Sequence, residues 1–206
     1  MIHVALIVEG FGDVSSLPTL VAKIGNAFGT PTIAPNPIRA GGAEKLRRPG
    51  ELERFAEMAA SRPEADAVVV AVDLEDECAA NLHAEFVGRC RPIAARFGKS
   101  IRVCFAIREF ESWLLSSIPR LRQSCPEYNW NQQFVCRNPP DVRGAKEAVS
   151  QAIQRRYRET VDQLVLTRGI NPCELFCVDR SFRKLVKSVT DVDYDLLRAC
   201  AEPQLS

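Results

Sequence analysis

The chain of 206 residues has only two histidines, His3 and His83, and its eight cysteines contain no Cys-x-x-Cys pair. Without such spacing a zinc site of soft ligands is excluded as the organising chemistry. A serine or cysteine nucleophile with a histidine base is excluded too, since His3 falls inside an apolar strand pattern and His83 in mid-helix. The eight cysteines read instead as reduced, small apolar core residues. No apolar run approaches the roughly 20 residues that a membrane helix requires. Gly41-Gly42 is not followed by the spacing of a phosphate-binding Lys-Ser/Thr loop, and Val8-Glu9-Gly10-Phe11-Gly12 lacks the third glycine of a dinucleotide turn. The N-terminus enters a strand pattern directly, with no basic leader or cleavage site, so a cytoplasmic protein is expected. A net charge of +1 excludes a chain-wide affinity for polyanions.

What is present is an alternation of strand and helix patterns. Ile2–Val8 is an apolar strand, and Leu17, Leu20, Val21 and Ile24 recur at helical spacing from Ser15 to about Ala27. Thr32–Arg39 is broken by Pro35 and Pro37 and reads at best as an edge strand. Pro49–Ala60 reads as a helix, Asp66–Val72 as a buried parallel strand, Cys78–Phe97 as a long helix and Ile101–Ile107 as a further strand. Phe110–Ser117 starts another helix. Beyond it, Pro119, Pro126 and Asn129–Gln133 read as loop. Val142–Tyr157 then reads as one basic helix, followed by a short helix from Pro172 and a closing helix over Ser181–Val189. The order is that of an α/β protein with a mostly parallel sheet flanked by helices. Residues 1–118 form the expected α/β core, and residues 119–206 a helical extension packed on it.

Acidic residues follow the strand ends. Glu9 and Asp13 lie on a glycine-bearing turn after the first strand, and Asp73-Leu74-Glu75-Asp76 closes the strongest one. The carboxyl ends of parallel strands are where open α/β sheets bind ligands. Hard divalent cations are held there by a few carboxylates together with water and substrate phosphate. The same acids also suit a helix N-terminus, where capping and the helix dipole favour them.

These residues carry a resemblance. An apolar strand ending in Glu-Gly, with a later strand ending in Asp-x-Glu, resembles the TOPRIM fold of topoisomerases, primases and overcoming-lysogenization-defect (OLD) nucleases. Asp13 resembles the extra acid of the OLD group. Ala106-Ile107-Arg108-Glu109-Phe110-Glu111-Ser112-Trp113-Leu114-Leu115 is similar to the signature of a TOPRIM-like family, domain of unknown function 4276, as are Arg143-Gly144-Ala145-Lys146 and the Tyr157-to-Phe182 spacing. The resemblance implies a TOPRIM/Rossmann-like sheet with a C-terminal helical extension. It implies Glu9 as general base or metal ligand, and Asp13, Asp73 and Glu75 as ligands of Mg²⁺ or Mn²⁺. Glu75 departs from the commoner second aspartate, which leaves Glu75 and Asp76 open as alternatives. It also implies Glu111 as a site residue, although a solvent-exposed helix start is the competing reading for that glutamate. Proteins of this kind resemble nuclease partners encoded beside ATPases in bacterial phage-defence loci.

Between Arg137 and Lys187 there are 11 Lys and Arg against 6 Asp and Glu. Lys146 is a candidate to stabilise charge developing on a scissile phosphate. Arg143, Lys146, Arg155, Arg156, Arg183 and Lys184 are candidates to grip a nucleic-acid backbone, DNA ahead of RNA, with a solvated face as the alternative. The leading expectation is a metal-dependent nuclease with nucleic acid, an ATPase and a second copy of itself as partners. A non-catalytic partner or regulator of an ATPase and a nucleotide phosphohydrolase stand as alternatives.

Overall fold

In the computed structural model, residues 1–74 and 76–201 are described, with the side chains of residues 200 and 201 excepted. The first half runs β1 (Ile2–Val8), α1 (Phe11–Ala27), β2 (Thr32–Ile33), β3 (Ile38–Arg39), α2 (Ala43–Arg47), α3 (Glu51–Ala60), β4 (Ala67–Leu74), α4 (Ala79–Phe97) and β5 (Ser100–Ile107). α5 (Glu111–Ser116), α6 (Ile118–Ser124), α7 (Ala145–Ala152), α8 (Glu159–Gly169), α9 (Pro172–Val178), α10 (Arg180–Thr190) and α11 (Tyr194–Ala201) follow. The five strands form one parallel sheet. β2 and β3 pair with the same side of β1, β4 pairs with its other side, and β5 lies beyond β4. Pro35 and Pro37 reduce the β1 edge to two short pairings, because proline has no N–H to give to a ladder.

Side chains of successive strand residues enter opposite layers. Val4, Leu6, Val8, Val69, Ala71, Cys104 and Ala106 pack with α1 and with the C-terminal helices, whereas Ala5, Ile7, Val68, Val70, Val72, Val103 and Phe105 pack with α3 and α4. Residues on both sides of position 118 contribute to the first of these cores. From β1 the chain turns through α1 to one side of the sheet, and from β4 it turns through α4 on the opposite face to the other side. The carboxyl ends of β1 and β4 therefore flank the switch point at which open α/β sheets form their binding crevice.

Several elements depart from the sequence reading. α1 starts at Phe11 rather than Ser15, since Gly10 is extended and the Asp13 carboxylate accepts its N–H at 2.9 Å. Pro18 thus lies inside the helix. The segment after Ser117, expected as loop, is α6, with Pro119 in its first turn, where proline is tolerated. The single basic helix expected over Val142–Tyr157 is α7 alone; it stops at Ala152, and Gln154 takes a left-handed φ of 52°. α8 and α11 had no counterpart in the sequence reading. The cysteines are not uniformly core residues: Cys78 and Cys177 are exposed. No helix among the described residues is long and apolar enough to cross a membrane.

Candidate active site

Asp73 continues the series Val69 and Ala71, which turns it toward the layer of α1 and the C-terminal helices. Its backbone N–H donates to Glu9 Oε2 at 3.1 Å, joining the ends of β1 and β4 at the switch point. Asp13, in the first turn of α1, is buried and holds Gly10 N–H through Oδ2 while Oδ1 accepts from Gln163 Nε2 at 2.9 Å. Burial raises the pKa of Asp13. Burial also raises that of Asp73 well above the usual carboxylate range, and the charges of Asp13, Glu9 and Glu111 push in the same direction.

Glu111, at the start of α5, is only 1% exposed, so the solvent-exposed reading of this residue is overturned. Its pKa is pushed up to about 7, chiefly by burial, with Lys146 the main opposing charge. The Tyr157 hydroxyl interacts with the Glu111 carboxylate, yet neither it nor Glu111 Oε1 completes a hydrogen bond of ordinary geometry. A buried carboxylate oxygen without a donor is costly. Lys146 on α7 faces this group and donates to Glu159 Oε2 at 3.0 Å. Burial works against its charge, but Glu111 and Glu159 raise its pKa overall, so it stays protonated.

Glu159 and Gln163 escaped the sequence reading because α8 did. Their side chains sit against the Glu9–Asp13 turn, Glu159 also accepting from Gly12 N–H at 3.3 Å. A Cβ on Gly12 would lie 1.9 Å from Gln163 Oε1 and 2.6 Å from Glu159 Cγ. The second glycine of that turn is therefore a packing requirement of α8. The signal available for the helix was Glu159 and Asp162 in its first turn. Its buried polar face, with Asp162, Gln163 and Thr167, hid the apolar period.

Of the expected site residues, Glu9, Asp13, Asp73, Glu111 and Lys146 are brought within electrostatic reach of one another. Glu75 lies outside the described residues. Asp76 turns away: it is exposed and bound at 2.8 Å by both Arg108 and Arg143. Arg155 is held by the buried Asp162 at 2.7 and 2.9 Å. Arg156 is exposed. Arg183 and Lys184 lie on α10, beside β5 and apart from the acids.

The oxygen-only donor set, its surplus of negative charge and the unpartnered Glu111 Oε1 suit a hard divalent cation. Among the described residues, no three Asp, Glu, His or Cys side chains already close on one point as ligands.

The fold and site together define a parallel α/β protein with an acidic crevice at the switch point of its sheet. The family described as Domain of unknown function (DUF4276) matches residues 8–190, and the chain belongs to it. No curated protein and no solved structure matches the chain.

Proposed function

We propose that the chain is a TOPRIM-like, metal-dependent nuclease that cleaves phosphodiester bonds in nucleic acid, DNA ahead of RNA, as an effector working with an ATPase in phage defence. One observation carries this reading: Asp73 lies within reach of the charges of Asp13, Glu9 and Glu111, its N–H bound by Glu9, with Lys146 as the main opposing charge. Four carboxylates around one lysine are over-supplied with negative charge, which a bound cation would relieve. Glu9, Asp73 and Asp13 would hold Mg²⁺ or Mn²⁺, with Glu75 as a further ligand. When bound, the metal supplies Lewis-acid stabilisation of the phosphate oxygens and a more acidic water. Glu111, with a pKa of about 7, can take or return a proton near neutral pH. Lys146, kept cationic by Glu111 and Glu159, would face the negative charge that develops on the phosphate.

A second reading, a non-catalytic partner of an ATPase, is favoured by the lack of a closed ligand triad among the described residues. Nicking of supercoiled plasmid in Mg²⁺ or Mn²⁺, against chelator, decides between the two. The nuclease reading expects cleavage that Asp73→Asn and Glu111→Gln each reduce at least a hundredfold while the protein stays folded. Cleavage unaffected by either change assigns the activity elsewhere. Failure to cleave even with the ATPase present supports the second reading.

A further inference from the structure

β5 is the last strand of the sheet, and its free side forms the floor of a second concavity. Arg108 N–H points toward β4, donating to the Leu74 carbonyl at 2.7 Å. Alternation along a parallel strand then turns the backbone groups of Val103, Phe105 and Ile107 outward. His83 on α4 hydrogen-bonds the Val103 backbone from that side. Farther along β5, Arg102 pairs with Asp191 at 2.9 Å. Between α4, β5, α10 and α11 a cleft of about 1060 Å³ remains, reaching Cys78, Ile107 and Pro140 at the carboxyl edge of the sheet. This is the edge that carries the acidic crevice.

The cleft is sharply basic. Arg180, Arg183, Lys184, Arg198 and His83 line it, against Asp195 as the one acid among the described residues. Among the described residues Arg180, Arg183, Lys184 and Arg198 form no ion pair, unlike Arg102 and Arg108 on and after β5. Burial and the charge of Lys184 both work against protonation of His83, while Arg183 and Lys184 are adjacent cations on α10. Such an arrangement is unfavourable until an anion enters it. The floor is apolar, with Val103 and Phe105, and the rim carries Tyr194, which is 41% exposed.

We propose that this cleft binds a single-stranded nucleic acid, its phosphates on Arg180, Arg183, Lys184 and Arg198 and a base stacked on Tyr194. Single strands fit this chemistry because their bases are free to turn onto apolar and aromatic side chains while the backbone tracks the cations. In a duplex the bases are paired, and the apolar floor would have no partner. The inference deepens the nuclease reading, resting on it for where the strand is cut and not for whether it binds.

The test is fluorescence anisotropy with a labelled oligothymidylate in chelator, so that cleavage plays no part. The wild-type protein should bind with an affinity that falls steeply with salt. The double variant Arg183→Glu, Lys184→Glu should weaken binding at least tenfold. Tyr194→Ala, at a partly exposed position, should weaken it about five- to tenfold, the effect of one stacked base. A duplex of equal length should bind less well. Absent binding overturns the proposal, as does binding that folded variants of both kinds retain. Full competition by thymidine monophosphate at equal concentration would make the ligand a free nucleotide and also overturn it. Since nicking in Mg²⁺ reads the acidic crevice and anisotropy in chelator reads the cleft, the two proposals fail separately.

Discussion

At the residue scale, the first turn of the site is set by what glycine lacks. Gly12 is buried beneath Gln163 and Glu159, and any Cβ there overlaps side chains that also bind Asp13 and Lys146. Gly12→Ala should cost about 1–3 kcal/mol, as overpacking does in a tight interior, and lower the melting temperature accordingly. Gly88, in α4, is the counterexample, because a Cβ there meets nothing within 4 Å. Gly88→Ala should leave stability unchanged or raise it by about 1 kcal/mol through helix propensity. Calorimetry on both variants checks the contrast; equal effects would refute the packing argument. Residues such as Glu9, Asp13 and Asp73 were legible in the sequence because each stands just beyond an apolar strand or in the turn after it. The commitments of Asp76 to two arginines and of Arg155 to Asp162 were not, since they depend on loops meeting at distances no spacing encodes.

At the element scale, strands and amphipathic helices were legible wherever an apolar period was uninterrupted, as in β4, β5, α3 and α10. The main failure, α8, lies where polar side chains are buried. Its first turn holds Asp162, whose side chain is 1% exposed and which accepts from Arg155, from Arg158 N–H at 2.7 Å and from the Tyr128 hydroxyl at 3.2 Å. This carboxylate ties α8 to the turn after α7 and to the segment following α6. Although burial opposes its ionisation, Arg155 and the Arg158 N–H hold its pKa below the usual value. Asp162→Ala would leave the tyrosine hydroxyl and the backbone donor unpaired, while the partly exposed Arg155 can return to water. A loss of about 2–3 kcal/mol is expected at neutral pH. A group with a lowered folded pKa stabilises above its unfolded pKa and loses that contribution as pH falls through the folded value. The gap between wild type and variant in urea unfolding should therefore shrink in acid. A gap independent of pH would show that Asp162 acts through packing alone.

At the scale of the whole molecule, the acidic crevice sets how stability responds to pH and to cations. Asp13, Asp73 and Glu111 all have raised pKa values, so in their titration range the folded state holds more protons than the unfolded chain. Stability must then fall as pH rises. For Glu111 the window runs from the ordinary 4.5 to about 7, and crossing it costs up to about 3 kcal/mol. Lys146 stays charged throughout and tempers the loss without reversing it, being one cation among several carboxylates. A divalent cation that binds the ionised carboxylates favours the folded form by mass action, and more so at the higher pH. Metal-free protein should therefore melt at a lower temperature at pH 7.5 than at pH 5.5, and millimolar Mn²⁺ should narrow the difference. Glu111→Gln, which cannot ionise, should flatten the pH dependence in chelator. A melting temperature that neither pH nor Mn²⁺ moves would mean that the carboxylates are neutralised within the fold. The crevice would then be a structural seam between the sheet and its C-terminal helices.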